Sequence, residues 1–131
     1  MIFELPEKEQ QTVLLRNRQG KTFREIADEL GYGSAALACT AYRNILKKLR
    51  VLSYLQTNHP ELLKVAKQHG YRYEHLAKLY NIMKRRNLLD KYVHMTHEKI
   101  LSVKGIGEHY AQVLDEAREL YWNRRKHLPN I

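Results

Sequence analysis

The sequence predicts an all-α protein. It divides into an N-terminal three-helix unit over residues 1–52, a basic central helical segment over 53–93, and a C-terminal helix pair with a glycine hairpin and tail over 94–131. Three observations predict this. Apolar residues recur three and four apart in segment after segment, the period of a helix with one buried face. Start signals (Pro6, Thr22, Ser34, Pro60) stand before those segments, and Gly31 and Gly70 stand where two of them stop. Glycine-rich turns at Gly31-Tyr32-Gly33 and Gly105-Ile106-Gly107 join helices into pairs. At 131 residues the chain makes one domain or two very small ones, with a modest core.

Residues 5–17 are expected to form the first helix. Pro6 sits in its first turn, where a fixed φ suits the helix, and Glu7 and Glu9 lie near the positive end of its dipole. Val13 and Leu14 are expected to pack it onto the next two helices, after a loop from Asn17 to Lys21 containing Gly20.

The stretch from Lys21 to Arg50 reads as two helices about a turn, a helix-turn-helix. Thr22 caps the first helix and Glu25, three residues on, reaches back to the amide of the cap. Phe23, Ile26, Ala27 and Leu30 then share one face, and the small Ala27 lets the next helix cross closely. Gly31 ends the helix by taking a positive φ. Ser34 caps the second helix, whose inward stripe is Ala38, Ala41, Ile45 and Leu49. Its outward face carries Ala35, Ala36, Leu37, Cys39, Thr40, Arg43, Asn44, Lys47 and Lys48.

From Leu5 to Arg50 the chain resembles the promoter-recognition region (region 4) of bacterial sigma factors and the related response-regulator modules. The resemblance rests on Leu5, Pro6, Glu7, Val13, Leu14, Gly20, Thr22, Glu25, Ile26, Ala27, Leu30 and Gly31, then Leu46 and the closing Lys47-Lys48-Leu49-Arg50. It implies that the helix after the turn enters the major groove of double-stranded DNA, with Ser34, Ala35, Thr40, Arg43, Asn44, Lys47 and Lys48 as the contacting positions. Two departures bear on readout. The turn Gly31-Tyr32-Gly33-Ser34 is one residue longer than the usual pattern. Ala35, Ala36 and Leu37 stand where a sigma factor carries Arg and Glu, so hydrogen bonding to base edges falls to Thr40, Arg43 and Asn44.

The second helix is expected to run on through Leu52 and Leu55 until Thr57, Asn58 and His59 break it. Pro60 opens a further helix, with Leu62, Val65 and Ala66 inward and Gly70 at its end; another, from Tyr73 to Arg86, buries Leu76, Leu79, Tyr80 and Met83. The run Lys84, Arg85, Arg86, with Lys78 and Lys91 near it, is either a solvated helix end or a contact to backbone phosphate. Tyr71, Tyr73, Tyr80 and Tyr92 interleave with this charge and are expected in the core rather than against unpaired bases.

Residues 96–121 resemble the helix-hairpin-helix motif through Ile100, Leu101, Val103, the hairpin Gly105-Ile106-Gly107, Ala111 and Leu114. The resemblance implies that Lys104, Gly105 and Gly107 lie against a DNA backbone without reading sequence. Glu108, directly after the hairpin, repels phosphate, so a structural or partner-docking role stands beside that one. Asp115 is the last aspartate in the chain, which argues against the glycosylase chemistry of that family. The tail from Trp122 to Ile131 holds Arg124, Arg125 and Lys126 before Pro129, and its end is expected to fray.

Composition narrows the partner. A net charge of +9 and a pI near 9.7 favour a polyanion. The surplus is +3 over residues 1–50, +5 over 51–95 and +1 over 96–131. No apolar run approaches the roughly 20 residues needed to span a bilayer, and the N-terminus lacks a signal-peptide layout, so a cytoplasmic protein with no membrane partner is expected. Cys39 is the single cysteine and reads as a small packing residue. No phosphate loop, dinucleotide fingerprint or nucleophile elbow occurs, so neither catalytic residues nor a cofactor are expected. His94 and His97 share a helical face, but with only Glu98 close by they fall short of a four-ligand zinc set. The sequence therefore points to a sequence-tolerant regulator of transcription that binds double-stranded DNA, monomeric or as a homo-oligomer. The alternatives are a phage-type small terminase subunit or recombination accessory protein, and a module that docks on RNA polymerase.

Overall fold

The computed structural model describes residues 5–126 and is all-helical: seven α-helices and one 3-10 helix, with no strand among the described residues. The chain forms two compact units, residues 5–53 and 54–126. The first holds α1 (Glu7–Asn17), α2 (Phe23–Leu30) and most of α3 (Ala35–Asn58).

Pro6 is the N-cap of α1, one position outside the first turn, and its carbonyl accepts from the amide of Gln10 at 3.0 Å. The face α1 buries differs from the expected one. Thr12 and Leu15 are buried, whereas Val13 is half-buried and Leu14 is 37% exposed. The physical reason is the Thr12 hydroxyl, which lies 2.7 Å from the Tyr32 hydroxyl and donates to the Lys8 carbonyl at 2.8 Å. With both bonds made, burying this polar group costs little, and the helix turns accordingly.

In α2 the capping pair is present in both directions. The Glu25 amide donates to Oγ1 of Thr22 at 3.2 Å, and the Thr22 amide donates to Oε1 of Glu25 at 3.0 Å. Gly31 closes the helix at φ +78°, where a side chain is strained, and its amide and that of Tyr32 both donate to the Ala27 carbonyl. Ile26 and Ala27 meet Leu15 and Ala38 in a small core, with Phe23, Leu30 and Tyr32 packed around it. Small alanine side chains from both α2 and α3 thus share this cluster.

The Ser34 hydroxyl accepts from the Leu37 amide at 3.1 Å and opens α3. Ala38 and Ile45 are buried and Ala41 and Leu49 half-buried, and the stripe continues through buried Leu52 and Leu55 to the helix end at Asn58.

The second unit holds α4 (Pro60–Gln68), α5 (Tyr73–Arg85), a 3-10 helix (Tyr92–His94), α6 (His97–Leu101) and α7 (Glu108–Lys126). Helices α4 and α6 and the 3-10 turn all pack on α7. Residues expected to fall in separate central and C-terminal segments thus share one core, which includes Leu62, Val65, Leu76, Leu79, Met83, Tyr92, Ile100 and Leu114. Tyr80, expected inside, is half-buried, its ring edge-on to Tyr54 at 6.1 Å.

The first part of the tail, from Trp122, continues α7, which stays helical to Lys126. Three side chains fasten this stretch. Arg118 donates to the Met95 carbonyl at 2.6 Å, the Trp122 indole donates to the Val93 carbonyl at 2.7 Å, and Arg124 reaches Oε1 of buried Glu61 at 3.0 Å. The last part of the tail, 127–131, lies outside the described residues. No described helix is long and apolar enough to cross a membrane.

Candidate nucleic-acid interface

The outward face of α3 follows from its register. Thr40, Arg43, Asn44 and Lys47 lie three and four apart, so they stack along one side of the helix, and all four are exposed. None of the four side chains makes a hydrogen bond or ion pair with another described residue. Ser34 and Ala35 are exposed at the start of the helix, the serine with its hydroxyl engaged in the cap. Cys39 is half-buried, as suits a small packing residue.

Lys48 departs from the expected set. Its ammonium lies 2.5 and 3.0 Å from the two carboxylate oxygens of Glu9 on α1 and is half-buried there. Its charge is neutralised within the fold, so it tethers α1 to α3 instead of adding to the outward face. The register explains it: Lys48 falls near half-buried Leu49 and buried Ile45, at the edge of the inward stripe.

In the second unit Lys84, Arg85 and Arg86 are exposed at the C-terminal end of α5. Cations there also complement the helix dipole, so this run has a local structural use. The chain leaves the helix through Asn87 at φ +58°, and the Leu88 amide donates back to the Met83 carbonyl at 2.7 Å.

The hairpin between α6 and α7 is built from local bonds. Thr96 caps α6, accepting from the Lys99 amide at 3.2 Å, and the Ile106 amide donates to the Val103 carbonyl at 3.1 Å while its side chain is buried. Gly105 has φ +98°, so any side chain there is strained. A Cβ on Gly107 meets open space, and Lys104 beside the hairpin is exposed.

Glu108 is less isolated than its position suggests. Its carboxylate lies 3.5 Å from Nε2 of His97, whose Nδ1 bonds the Asp115 carboxylate. That hydrogen bond to Asp115 raises the His97 pKa above the usual imidazole value, with Glu108 adding to the shift. The His97 ring thus sits between the two carboxylates. His94 instead lies edge-on to the Trp122 ring at 5.5 Å, and the described residues contain no cluster of three or more metal-ligating side chains.

One grouping carried no sequence signal. The turn from α4 to α5 and the start of α7 bring three histidines (69, 75 and 109) and two tyrosines (71 and 110) around one cavity beside the hairpin glycines. These residues are scattered over the sequence and fit no motif, so only the packing of α4 on α7 reveals them. Arg124 and Arg125, converging on Glu61, were likewise invisible, because the partner lies far upstream. No family model, curated protein or solved structure matches the chain.

Proposed function

We propose that the chain binds double-stranded DNA, with α3 laid in the major groove and backbone contacts added by the second unit, in the manner of a transcription regulator that tolerates many sequences. The observation that carries this reading is the row of Thr40, Arg43, Asn44 and Lys47: exposed, aligned on one helix face, and unengaged by other described residues. Two guanidinium or ammonium groups a turn apart repel each other and gain most from phosphates on both sides of a groove. Asn44 and Arg43 supply donors suited to adenine and guanine edges. Ala35 and Ala36 leave the start of the helix without donors, which favours broad over stringent selection. Lys84, Arg85, Arg86 and Lys104 add sequence-independent attraction in the same reading.

B-form DNA opens a major groove wide enough for a helix, whereas the major groove of duplex RNA is deep and narrow. Fluorescence anisotropy with a duplex of mixed sequence and its RNA counterpart tests the proposal. Tighter binding to the DNA duplex is expected. Equal affinity for both reduces the interaction to unspecific charge attraction.

A second reading has its own observation. Leu37 is 56% exposed, next to exposed Ala35 and Ala36, an apolar edge that DNA uses poorly. It favours docking on a protein, either RNA polymerase or further copies of this chain as in a phage-type packaging ring. Light scattering separates the last possibility, since a closed ring has several times the mass of the 15.6 kDa chain.

A further inference from the structure

The cavity beside the hairpin has a volume of about 400 Å³, within the roughly 300–1,000 Å³ range of small-molecule sites. Its walls are unusual for so small a protein, because aromatic and imidazole rings surround it. Tyr71 is buried and forms the floor, with the rings of His109 at 5.3 Å and His75 at 5.8 Å from its own, and Tyr110 closes one side at 6.3 Å.

The polar character of the rim separates this from an apolar core defect. His75 and His109 are exposed, and neither imidazole makes a hydrogen bond to a described residue, so each offers ring nitrogens to a ligand. His69 is committed, bonded through Nε2 to Glu116. Gly105 and Gly107 complete the lining; Gly105 packs against the Ile82 side chain, while a Cβ on Gly107 meets open space, which leaves backbone open there.

Exposed cations adjoin the lining residues in sequence. Arg72 follows Tyr71 and Lys104 precedes Gly105, both exposed. Of the carboxylates close by, Glu116 is held by His69 and Glu108 lies against His97, leaving Glu74 beside His75. Ring surfaces to stack on, ring nitrogens to hydrogen-bond, and cations beside an open backbone together suit a flat heterocycle attached to a phosphate.

We infer that this cavity holds the base of a nucleotide, stacked on the imidazoles of His75 and His109 over Tyr71. The base belongs either to a free nucleotide or to an unpaired residue of a strand. The inference does not depend on α3 meeting duplex DNA, because the residues involved all lie in the second unit.

The test uses the full chain and a variant carrying His75→Ala and His109→Ala. Both residues are exposed, so the fold is retained, and circular dichroism checks this. Affinity is measured for a short single strand of mixed sequence and for the same strand made abasic throughout, with competition by deoxyadenosine monophosphate and by deoxyribose 5-phosphate. Stacking is worth about 1–3 kcal/mol per base, so the double variant is expected to lose on the order of tenfold in affinity for the intact strand and nothing for the abasic one. Competition by the mononucleotide but not the sugar phosphate identifies a free nucleotide as ligand. Base-dependent strand binding that the mononucleotide does not displace identifies an unpaired residue of a strand. Equal loss on both strands, equal affinity of the wild type for both, or no binding of any probe overturns the inference. Duplex affinity that depends on Arg43 and Lys47 is read separately, so failure of one proposal is distinguishable from failure of the other.

Discussion

The ammonium of Lys48 bridges both carboxylate oxygens of Glu9, at 2.5 and 3.0 Å, while Lys47, its neighbour in sequence, faces solvent. The register of α3 thereby divides two adjacent lysines between different tasks. Lys48→Ala removes a partly shielded pair and is expected to lower stability by about 1 kcal/mol, between the values for exposed and buried pairs, with duplex affinity nearly unchanged. Lys47→Ala is expected to leave the urea midpoint in place and weaken duplex binding. Urea unfolding and anisotropy on the two variants check the division, and the reverse pattern would show the roles exchanged.

Ala27 and Ala38 lie in one buried cluster with Leu15 and Ile26. Ala27→Leu inserts three carbons into a packed site and is expected to destabilise by about 1–3 kcal/mol. Ile26→Ala, at a fully buried position, is expected to cost about 2–5 kcal/mol through reduced burial and the cavity left behind. Thermal unfolding measures both. If Ala27→Leu unfolds at the wild-type temperature, the site around Ala27 is not closely packed.

Two histidines of the second unit pull the pH dependence of stability in opposite directions. His97 has its pKa raised, first by the hydrogen bond to Asp115, so its contribution is complete below about pH 6.5, the unfolded value, and is lost as pH rises through the folded value. His59 has its pKa lowered by burial, which outweighs the pull of Asp90 at 3.7 Å. Its contribution is present above about pH 6.5 and is lost as pH falls through the folded value. His97→Gln is expected to flatten the melting temperature on the alkaline side of that point, and His59→Phe to flatten it on the acid side, since a Phe ring suits a site beside Tyr54 and Tyr92. Melting curves across the range decide it; two variants with the unaltered wild-type profile would remove both assignments.

Glu61 is 5% exposed and neutralised by Arg124 at 3.0 Å, with Arg125 4.0 Å away. Arg124→Ala leaves the buried carboxylate with the weaker partner alone, and a loss of about 1–3 kcal/mol is expected. Glu61→Gln combined with Arg124→Ala is expected to recover part of it, because no buried charge then lacks its partner. A double variant less stable than Arg124→Ala alone would show that the carboxylate is not strained by losing the arginine. Chemical denaturation of the three proteins reads the difference.

Local features of the fold were legible in the sequence because their causes span only a few residues. The Thr22–Glu25 cap, the positive φ of Gly31, the Ser34 cap and the long stripe from Ala38 to Leu55 all arise from neighbours within one or two turns. The buried face of α1 was misread because Val13 and Leu14 are the more apolar pair, whereas a threonine bonded to a tyrosine twenty positions away decides the rotation. Lys48 was misread for the same kind of reason, since Glu9 lies 39 residues upstream. Arg124 meets Glu61 across 63 residues, a pairing that no local pattern in the tail encodes. In the hairpin, glycine spacing placed the turn, but the approach of His97 to Glu108 depends on how α6 lies against α7.

The central claim is that α3 lies along duplex DNA through its free cations. The most direct test is the slope of log affinity against log salt concentration for a mixed-sequence duplex, measured for the wild type and for Arg43→Ala combined with Lys47→Ala. Each phosphate deprived of its cation lowers the magnitude of the slope by about 0.9, so a fall of about 1.8 is expected if both cations meet phosphate. A folded double variant with the wild-type slope and affinity would contradict the claim.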